Sequence, residues 1–181
     1  MSFFSPSPWL LRWPQALREG ATALDLACGS GRHLKHLAAA GLRVTGVDRD
    51  EAAVAPLRSL AEILVADIEA GPWPLEGRAF DLVLVTNYLW RPLLPHIVDA
   101  VAPGGWLIYE TFADGHQTIG RPARPDFLLQ PGELLRACAG LRVVGYEDGF
   151  EGAAETGRYV QRIAAVRDAA ETGVYQRYML D

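Results

Sequence analysis

A series of short apolar runs, separated by turns and helical stretches, most constrains the fold of this 181-residue chain. Each run is rich in β-branched, leucine or aromatic residues and is bounded by Gly, Pro, Asp or Asn, which is typical of β-strands. The first five runs are "TALDLA", "LRVTGVD", "AEILVAD", "FDLVLVTN" and "GWLIYETF". Several are apolar on both alternations, as expected of central strands in a parallel sheet that is covered on both faces.

Helices are predicted between these strands, at residues 31–40, 50–60, 91–105 and 131–140. The first has its leucines on one face and stops at Gly41, a favourable C-terminal glycine. In the second, Asp50 is the expected N-cap and Pro56 must bend or restart the helix. In the third, Pro92 marks the start, and "PGG" at residues 103–105 is expected to mark the stop.

After the fifth strand the alternation changes. The runs "LRVVGYEDGF" and "RYVQRIAAVRD" are separated by too few residues for a helical crossover, so we expect them to pair antiparallel. The order is therefore five strand–helix alternations, one more helix and a terminal hairpin. It predicts an α/β fold with a doubly wound, Rossmann-like sheet of seven strands, mostly parallel, that closes with a C-terminal antiparallel hairpin. Ligands in such sheets bind beyond the carboxyl ends of the strands.

Length and composition predict one domain over residues 1–181. Its parts are an N-terminal segment (1–20), a core (21–112), a loop (113–130) and a last helix with the terminal hairpin (131–170). The start lacks a basic leader, and no apolar run approaches the roughly 20 residues needed to span a bilayer. Two cysteines form neither a disulfide framework nor a thiolate zinc site. A cytoplasmic protein without a membrane partner or a metal site is expected.

The formal net charge of −5 disfavours a protein whose main function is to bind the backbone of a nucleic acid. It leaves a local basic pocket possible, and it leaves the oligomeric state open. A small-molecule partner is the expectation that fits best.

The stretch "LDLACGSGRH", residues 24–33, stands where the first strand passes into the first helix. Gly29 and Gly31 permit a tight turn and close approach of a ligand. A dinucleotide site would next require glycine where bulky Leu34 stands, and no Gly-Lys-Ser/Thr follows to form a phosphate loop. Asp25 is an awkward neighbour for pyrophosphate but suits a ligand with an ammonium or sulfonium group. The loop therefore indicates a nucleoside without phosphates.

The segment "DLACGSG" resembles the first motif of class I S-adenosylmethionine-dependent methyltransferases. The following helix and "VTGVDRD" resemble the small bacterial tellurite-resistance and thiopurine-type methyltransferases. The resemblance continues through "VADIE", "FDLVLVTNYL" and "VAPGGWLIYE", covering residues 21–112 in order and spacing. It implies an enzyme that uses S-adenosyl-L-methionine, releases S-adenosyl-L-homocysteine and transfers methyl groups by in-line displacement.

The resemblance also implies a cofactor site. Asp48 would accept hydrogen bonds from both ribose hydroxyls, and Asp67 would accept from the adenine amine. Asn87 would offer its carbonyl to the methionine ammonium, with Asp25 beneath, and Arg32 would reach the carboxylate. Structural alternatives stay open, since Asp48 could cap a helix, Asp67 could be a turn residue and Asp25 could tie the loop amides. The predicted cofactor residues are Asp25, Ala27, Gly29, Gly31, Arg32, Asp48, Arg49, Asp67, Ile68 and Asn87.

Methyl transfer needs orientation of the reactants, and it needs a base only if the attacking atom holds a proton. The candidate catalytic residues are Asn87, Tyr88, Glu110 and His116, and the candidate substrate-binding residues are Tyr88, Arg91, Arg121 and Arg124. Amide-nitrogen and adenine methyltransferases carry two prolines after the residue equivalent to Asn87, and this chain lacks both.

Residues 113–130 have no clear periodicity and are predicted to form a lid or binding loop over a small-molecule acceptor, with Phe127 as its anchor. Three other functions stay open. They are methyl transfer to protein or RNA, a non-catalytic partner subunit that binds S-adenosylmethionine, and a nicotinamide-dependent oxidoreductase.

Overall fold

The computed structural model describes residues 5–169 and 177–180, so residues 1–4 and 170 of the predicted segments lie outside the described part. Seven strands form one sheet: β1 (Thr22–Leu26), β2 (Arg43–Asp48), β3 (Glu62–Val65), β4 (Phe80–Thr86), β5 (Val101–Phe112), β6 (Arg142–Glu151) and β7 (Arg158–Val166). Their order is β3-β2-β1-β4-β5-β7-β6. The first five pair in parallel, whereas β7 pairs antiparallel with both β5 and β6. The predicted fold class is confirmed.

The helices are short. They are α1 (Pro8–Leu11), α2 (Arg32–Ala39), α3 (Glu51–Val54), α4 (Leu94–Asp99) and α5 (Glu133–Ala137), with 3₁₀ turns at residues 14–16, 55–59, 91–93, 116–118 and 125–127. Asp50 caps α3 as predicted, with its Oδ1 accepting from the Ala53 amide at 3.1 Å. Pro56 lies in the 3₁₀ turn that follows α3. No helix in the described ranges is long and apolar enough to cross a membrane.

The prediction of a helix over residues 91–105 is wrong at its C-terminal end. The helix stops at Asp99, and the "PGG" segment lies in β5. A side chain at Gly105 would come within 2.8 Å of the Phe80 carbonyl oxygen, so this glycine lets β5 approach β4 closely. The pairing of the two strands is irregular there.

The alternation of strands and helices also predicts a helix after each of the first five strands. This prediction is wrong for the connection between β3 and β4. Residues 66–79, between β3 and β4, contain only turns and bends. Gly71, Pro72 and Pro74 explain this, because proline removes a backbone donor and both residue types disfavour a helix interior.

Both faces of the sheet are buried, as the apolar runs predicted. Along β4, successive side chains alternate between faces. Leu82 and Leu84 join one core cluster, while Val83 and Val85 join the other. The first cluster includes Trp9 and Trp13, both at most 2% exposed, so the N-terminal segment packs onto the core.

Candidate active site

The order of the strands reverses between β1 and β4, which makes their carboxyl ends the switch point of the sheet. The residues that follow these strands, Ala27 and Asn87, have φ angles of +53° and +55°. Left-handed backbone is uncommon outside glycine and clusters at functional sites. The two turns open a crevice where a ligand of a doubly wound sheet is expected.

A cavity of about 200 Å³ lies in this crevice. Its lining residues come from the ends of β1, β2, β3 and β4, and they are Ala27, Asp48, Arg49, Ala66, Asp67, Ile68, Glu69 and Tyr88. The fold thus brings together residues 27, 48, 49, 67 and 68 of the predicted cofactor set.

Asp48 connects β2 to the glycine loop. Its Oδ2 accepts a hydrogen bond from the Gly29 amide at 2.7 Å, and its Oδ1 accepts from the Asp50 amide at 3.0 Å. Asp50, not Asp48, caps the following helix. A carboxylate can accept about four hydrogen bonds, so Asp48 retains lone pairs toward the cavity that it lines.

Asp67 begins the turn after β3. Its Oδ1 accepts from the Glu69 and Ala70 amides, at 3.0 and 3.1 Å, and these bonds lower the pKa of the carboxyl. Within the described ranges its Oδ2 makes no hydrogen bond. The residue combines the predicted turn role with an ionised oxygen that can face a ligand amine, and Ile68 beside it is buried.

Asp25 lies in β1, two residues before Ala27, and is 1% exposed; it is not one of the residues that line the cavity. Its Oδ2 is buried without a hydrogen-bond partner among the residues described. Burial raises the pKa of this carboxyl to about 7, although the Leu34 amide and Arg32 oppose the shift. An unpartnered buried carboxylate is costly unless a cation neutralises it, so Asp25 fits a ligand with an ammonium group.

The two loop glycines have different roles. A Cβ at Gly29 (φ +52°) would meet nothing within 4 Å, whereas a Cβ at Gly31 (φ +74°) would lie 2.5 Å from Leu57 Cδ1. Gly29 therefore leaves space for a ligand, and Gly31 permits close packing of α2.

Leu34, where a dinucleotide site would have glycine, is accommodated by the neighbouring strand. A Cβ at Gly46 of β2 would come within 2.7 Å of Leu34 Cδ1. The small residue is thus on the strand rather than on the helix. This arrangement supports the sequence argument against a dinucleotide fingerprint.

Alanine substitutions should separate these roles. We expect Gly31→Ala to destabilise the fold by about 2–3 kcal/mol, because it adds left-handed strain and a clash with buried Leu57. Gly29→Ala should cost only about 1 kcal/mol of stability, and its methyl group should impair cofactor binding. Urea unfolding and titration with S-adenosylhomocysteine measure the two effects. A larger stability loss for Gly29→Ala than for Gly31→Ala would contradict this assignment.

Arg32 and His33 begin α2. Arg32 is half-buried and makes no hydrogen bond or ion pair within the described structure, so it can serve a ligand carboxylate. His33 is buried, and its Nε2 accepts from the Ser7 amide at 3.1 Å. The proton must then be on Nδ1, which faces Thr86 Oγ1 at 3.3 Å. Burial lowers the pKa of His33 to about 3, so the ring is neutral.

Glu110 lies at the end of β5 and is 1% exposed. Its Oε1 accepts from Ser7 Oγ at 2.9 Å, and its Oε2 lies 3.2 Å from Arg162 Nε. Oε1 is therefore hydrogen-bonded, whereas Oε2 forms an ion pair with Arg162 and makes no hydrogen bond in the described structure. Ser7, which no sequence motif singles out, connects Glu110 to His33.

His116 is 5% exposed and packs inside the predicted loop. Its ring stacks on Phe112 at 4.4 Å, and its Nε2 lies 3.0 Å from the Arg121 carbonyl oxygen. The Arg121 and Arg124 side chains are exposed, and Arg124 pairs with Asp126 at 2.7 Å.

Arg91 fixes the second half of the loop to the core. Its guanidinium donates to both Glu133 carboxylate oxygens, at 2.7 and 2.9 Å, and to the carbonyls of Asp126 and Leu128, each at 2.8 Å. Leu128 and Leu129 are fully buried, whereas Phe127 is only half-buried. These leucines, rather than the expected Phe127, anchor the loop.

The loop is fastened at both ends. The Leu129 amide donates to the Phe112 carbonyl, and the Asp114 amide donates to the Leu129 carbonyl, at 3.0 and 2.9 Å. A loop of this kind, with adjoining ends and its own packed side chain, is a compact Ω-type structure.

No group of three or more His, Cys, Asp or Glu side chains in the described part of the chain could hold a metal ion.

Residues 23–105 match the sequence family described as "Methyltransferase domain". The ribosomal protein L11 methyltransferase of Thiobacillus denitrificans is 42% identical over 127 residues, which covers 65% of this chain and 42% of that protein. The trans-aconitate 2-methyltransferase of Escherichia coli is 30% identical over 134 residues, covering 70% and 46% respectively. The chain thus spans less than half the length of these relatives.

Among solved structures, TehB from Haemophilus influenzae is similar to this fold with a TM-score of 0.65. The two chains are 20% identical, and the match covers 82% of this chain and 58% of TehB. The fold predicted from the sequence is therefore confirmed, and residues 23–105 match a methyltransferase domain, in agreement with the family resemblance found in the sequence.

Proposed function

We propose that this chain transfers the methyl group of S-adenosylmethionine to a small-molecule acceptor. The observation that carries the cofactor assignment is the buried, unpartnered Oδ2 of Asp25, in the strand that leads into the open glycine loop. A phosphate-bearing nucleotide would meet this carboxylate unfavourably, whereas the methionine ammonium would neutralise it.

The proposed binding residues include a partner for each part of the cofactor. Asp25 and Arg32 are proposed to hold the methionine end, Asp48 the ribose hydroxyls, and Asp67 with Ile68 the adenine ring. The bound cofactor supplies a methyl group on a sulfonium, which needs no metal for activation. Charge-assisted hydrogen bonds of the Asp48 kind contribute roughly 1.5–3 kcal/mol each.

The acceptor is proposed to enter beside Asn87, at the end of β4, next to the loop of residues 113–130. The fixed ends of this loop and the backbone of Asn87 would orient the acceptor toward the methyl group, which supplies much of the rate in an in-line displacement. Glu110 and Arg91 already bind protein groups, so neither is included among the proposed acceptor-contacting residues. Tyr88 lines the cofactor cavity instead.

Two features favour a small acceptor. The net charge of −5 does not suit a nucleic-acid surface, and the relative from Escherichia coli is named for trans-aconitate. The relative from Thiobacillus denitrificans is named for a ribosomal protein, which makes methyl transfer to a protein an outcome to be tested.

Cys28 and Cys138 are both buried and unpaired, which supports a reducing, cytoplasmic location.

Two measurements test this function. Calorimetric titration should show binding of S-adenosylhomocysteine and none of NAD; the reverse would favour an oxidoreductase. Incubation with methyl-labelled cofactor and separated pools of metabolites, protein and RNA should then label the metabolites. Label in protein or RNA alone would contradict the small-molecule assignment, and cofactor binding without transfer to any pool would favour a non-catalytic subunit.

A further inference from the structure

Tyr88 lines the same cavity as Asp67 and Ile68, although the sequence analysis assigned it to the acceptor. Its hydroxyl oxygen is buried and has no hydrogen-bond partner in the described structure. A buried hydroxyl without a partner is unfavourable in a folded protein, and one that borders a binding cavity indicates a missing ligand atom.

The backbone fixes Tyr88 in this position. The left-handed Asn87 turns the chain at the end of β4, and the Asn87 amide donates to the Glu110 carbonyl at 2.9 Å. On the other side, the hydroxyl of buried Tyr109 donates to the Tyr88 carbonyl, also at 2.9 Å. The backbone at Tyr88 is therefore fixed beside the cavity by the turn at Asn87 and by two hydrogen bonds to residues of β5.

The protonation state of the hydroxyl defines what it can bind. Burial raises the pKa of Tyr88 well above its usual range, and the neighbouring carboxylates of Glu69 and Asp67 raise it further. Neither carboxylate meets hydrogen-bond geometry with the hydroxyl. Tyr88 thus keeps its proton and can donate a hydrogen bond inside the cavity. The other ionisable side chains that line it are the carboxylates of Asp48, Asp67 and Glu69 and the guanidinium of Arg49.

We propose that Tyr88 determines cofactor specificity, its hydroxyl donating a hydrogen bond to a ring nitrogen of the adenine. This inference rests on the proposed function. The carboxylate of Asp67 can accept only from the exocyclic amine, while the ring nitrogens N1, N3 and N7 require donors. The hydroxyl of Tyr88 is a donor placed in the same cavity.

The substitution Tyr88→Phe removes only the hydroxyl and keeps the ring. We expect it to weaken the binding of S-adenosylhomocysteine five- to tenfold in a calorimetric titration, as for the loss of one neutral hydrogen bond. Tyr146→Phe is the matched control, because the Tyr146 hydroxyl bonds to Asp148 at 3.0 Å, outside the cavity. Its affinity should equal that of the wild type.

Analogues of S-adenosylhomocysteine that lack N1, N3 or N7 identify the accepting atom. One of them should bind the wild type more weakly than the parent compound and bind Tyr88→Phe with no additional loss. Unchanged affinity in Tyr88→Phe, or equal losses for every analogue in both proteins, would overturn the inference. If the wild type does not bind S-adenosylhomocysteine at all, the proposed function itself fails.

Discussion

Replacing Asp25 by asparagine should stabilise the ligand-free protein by about 4 kcal/mol at pH 8, and by less than half of that at pH 5. The reason is the buried carboxyl, whose pKa is raised from 3.8 to about 7 in the folded chain. Each pKa unit corresponds to about 1.4 kcal/mol. Asparagine has similar size but never ionises, so it avoids the cost of the buried charge.

The sign follows from proton binding. Between pH 3.8 and about 7, the folded state binds a proton at Asp25 that the unfolded state has released. The stability that this proton provides is complete at low pH and is lost as the pH rises through 7. Urea unfolding of the wild type and Asp25→Asn at pH 5 and 8 measures the difference.

Asp81→Asn is a control of opposite sign. Asp81 accepts hydrogen bonds from the Thr22 amide and hydroxyl, at 2.9 and 2.8 Å, and its pKa is lowered. Its replacement should destabilise the protein at neutral pH, and this loss should fade on acidification. An Asp25→Asn effect that is the same at pH 5 and pH 8 would show that Asp25 is not the titrating group.

The same Asp25→Asn protein should bind S-adenosylhomocysteine more weakly, because asparagine cannot neutralise an ammonium. A residue that costs stability in the free protein and contributes affinity to the complex is typical of a binding site. Asp25 therefore connects the energetics of the fold to the proposed function.

The strands and their order along the chain were predictable because each apolar run has a pattern of apolar residues that is typical of its place in a sheet. Central strands are apolar on both alternations, and the short segment before β7 leaves only an antiparallel pairing. The errors occurred where proline and glycine override a pattern. Residues 66–79 form no helix, and Gly105 admits a strand where a helix stop was expected.

That residues 27, 48, 49, 67 and 68 line one cavity was predictable, because parallel strands bring their carboxyl ends together, whatever their separation in sequence. The contacts of the other residues were not. Arg91 meets Glu133 across 42 positions, and Ser7 meets Glu110 across 103. Such pairs leave no periodic signal. The direction of Tyr88 depends on the positive φ of Asn87, which a single sequence does not reveal.

Asp48→Ala should weaken the binding of S-adenosylhomocysteine tenfold to a hundredfold, equivalent to about 1.5–3 kcal/mol. The carboxylate lines the cavity and also holds the Gly29 amide at 2.7 Å, so its loss removes a ligand contact and loosens the glycine loop. Calorimetric titration of both proteins measures the change.

Asp50→Ala is the control for a general disturbance of the turn between β2 and α3. Asp50 caps α3 through the Ala53 amide and does not line the cavity, so its loss should cost about 1 kcal/mol of stability and leave affinity unchanged. Equal affinity of Asp48→Ala and the wild type would remove the ribose assignment. If Asp50→Ala weakened binding as much as Asp48→Ala, the effect would arise from the β2–α3 turn rather than from a contact with the ligand. A strong effect at Asp48 alone therefore assigns the loss to the Asp48 carboxylate, through its position in the cavity and its bond to the Gly29 amide, and not to the turn.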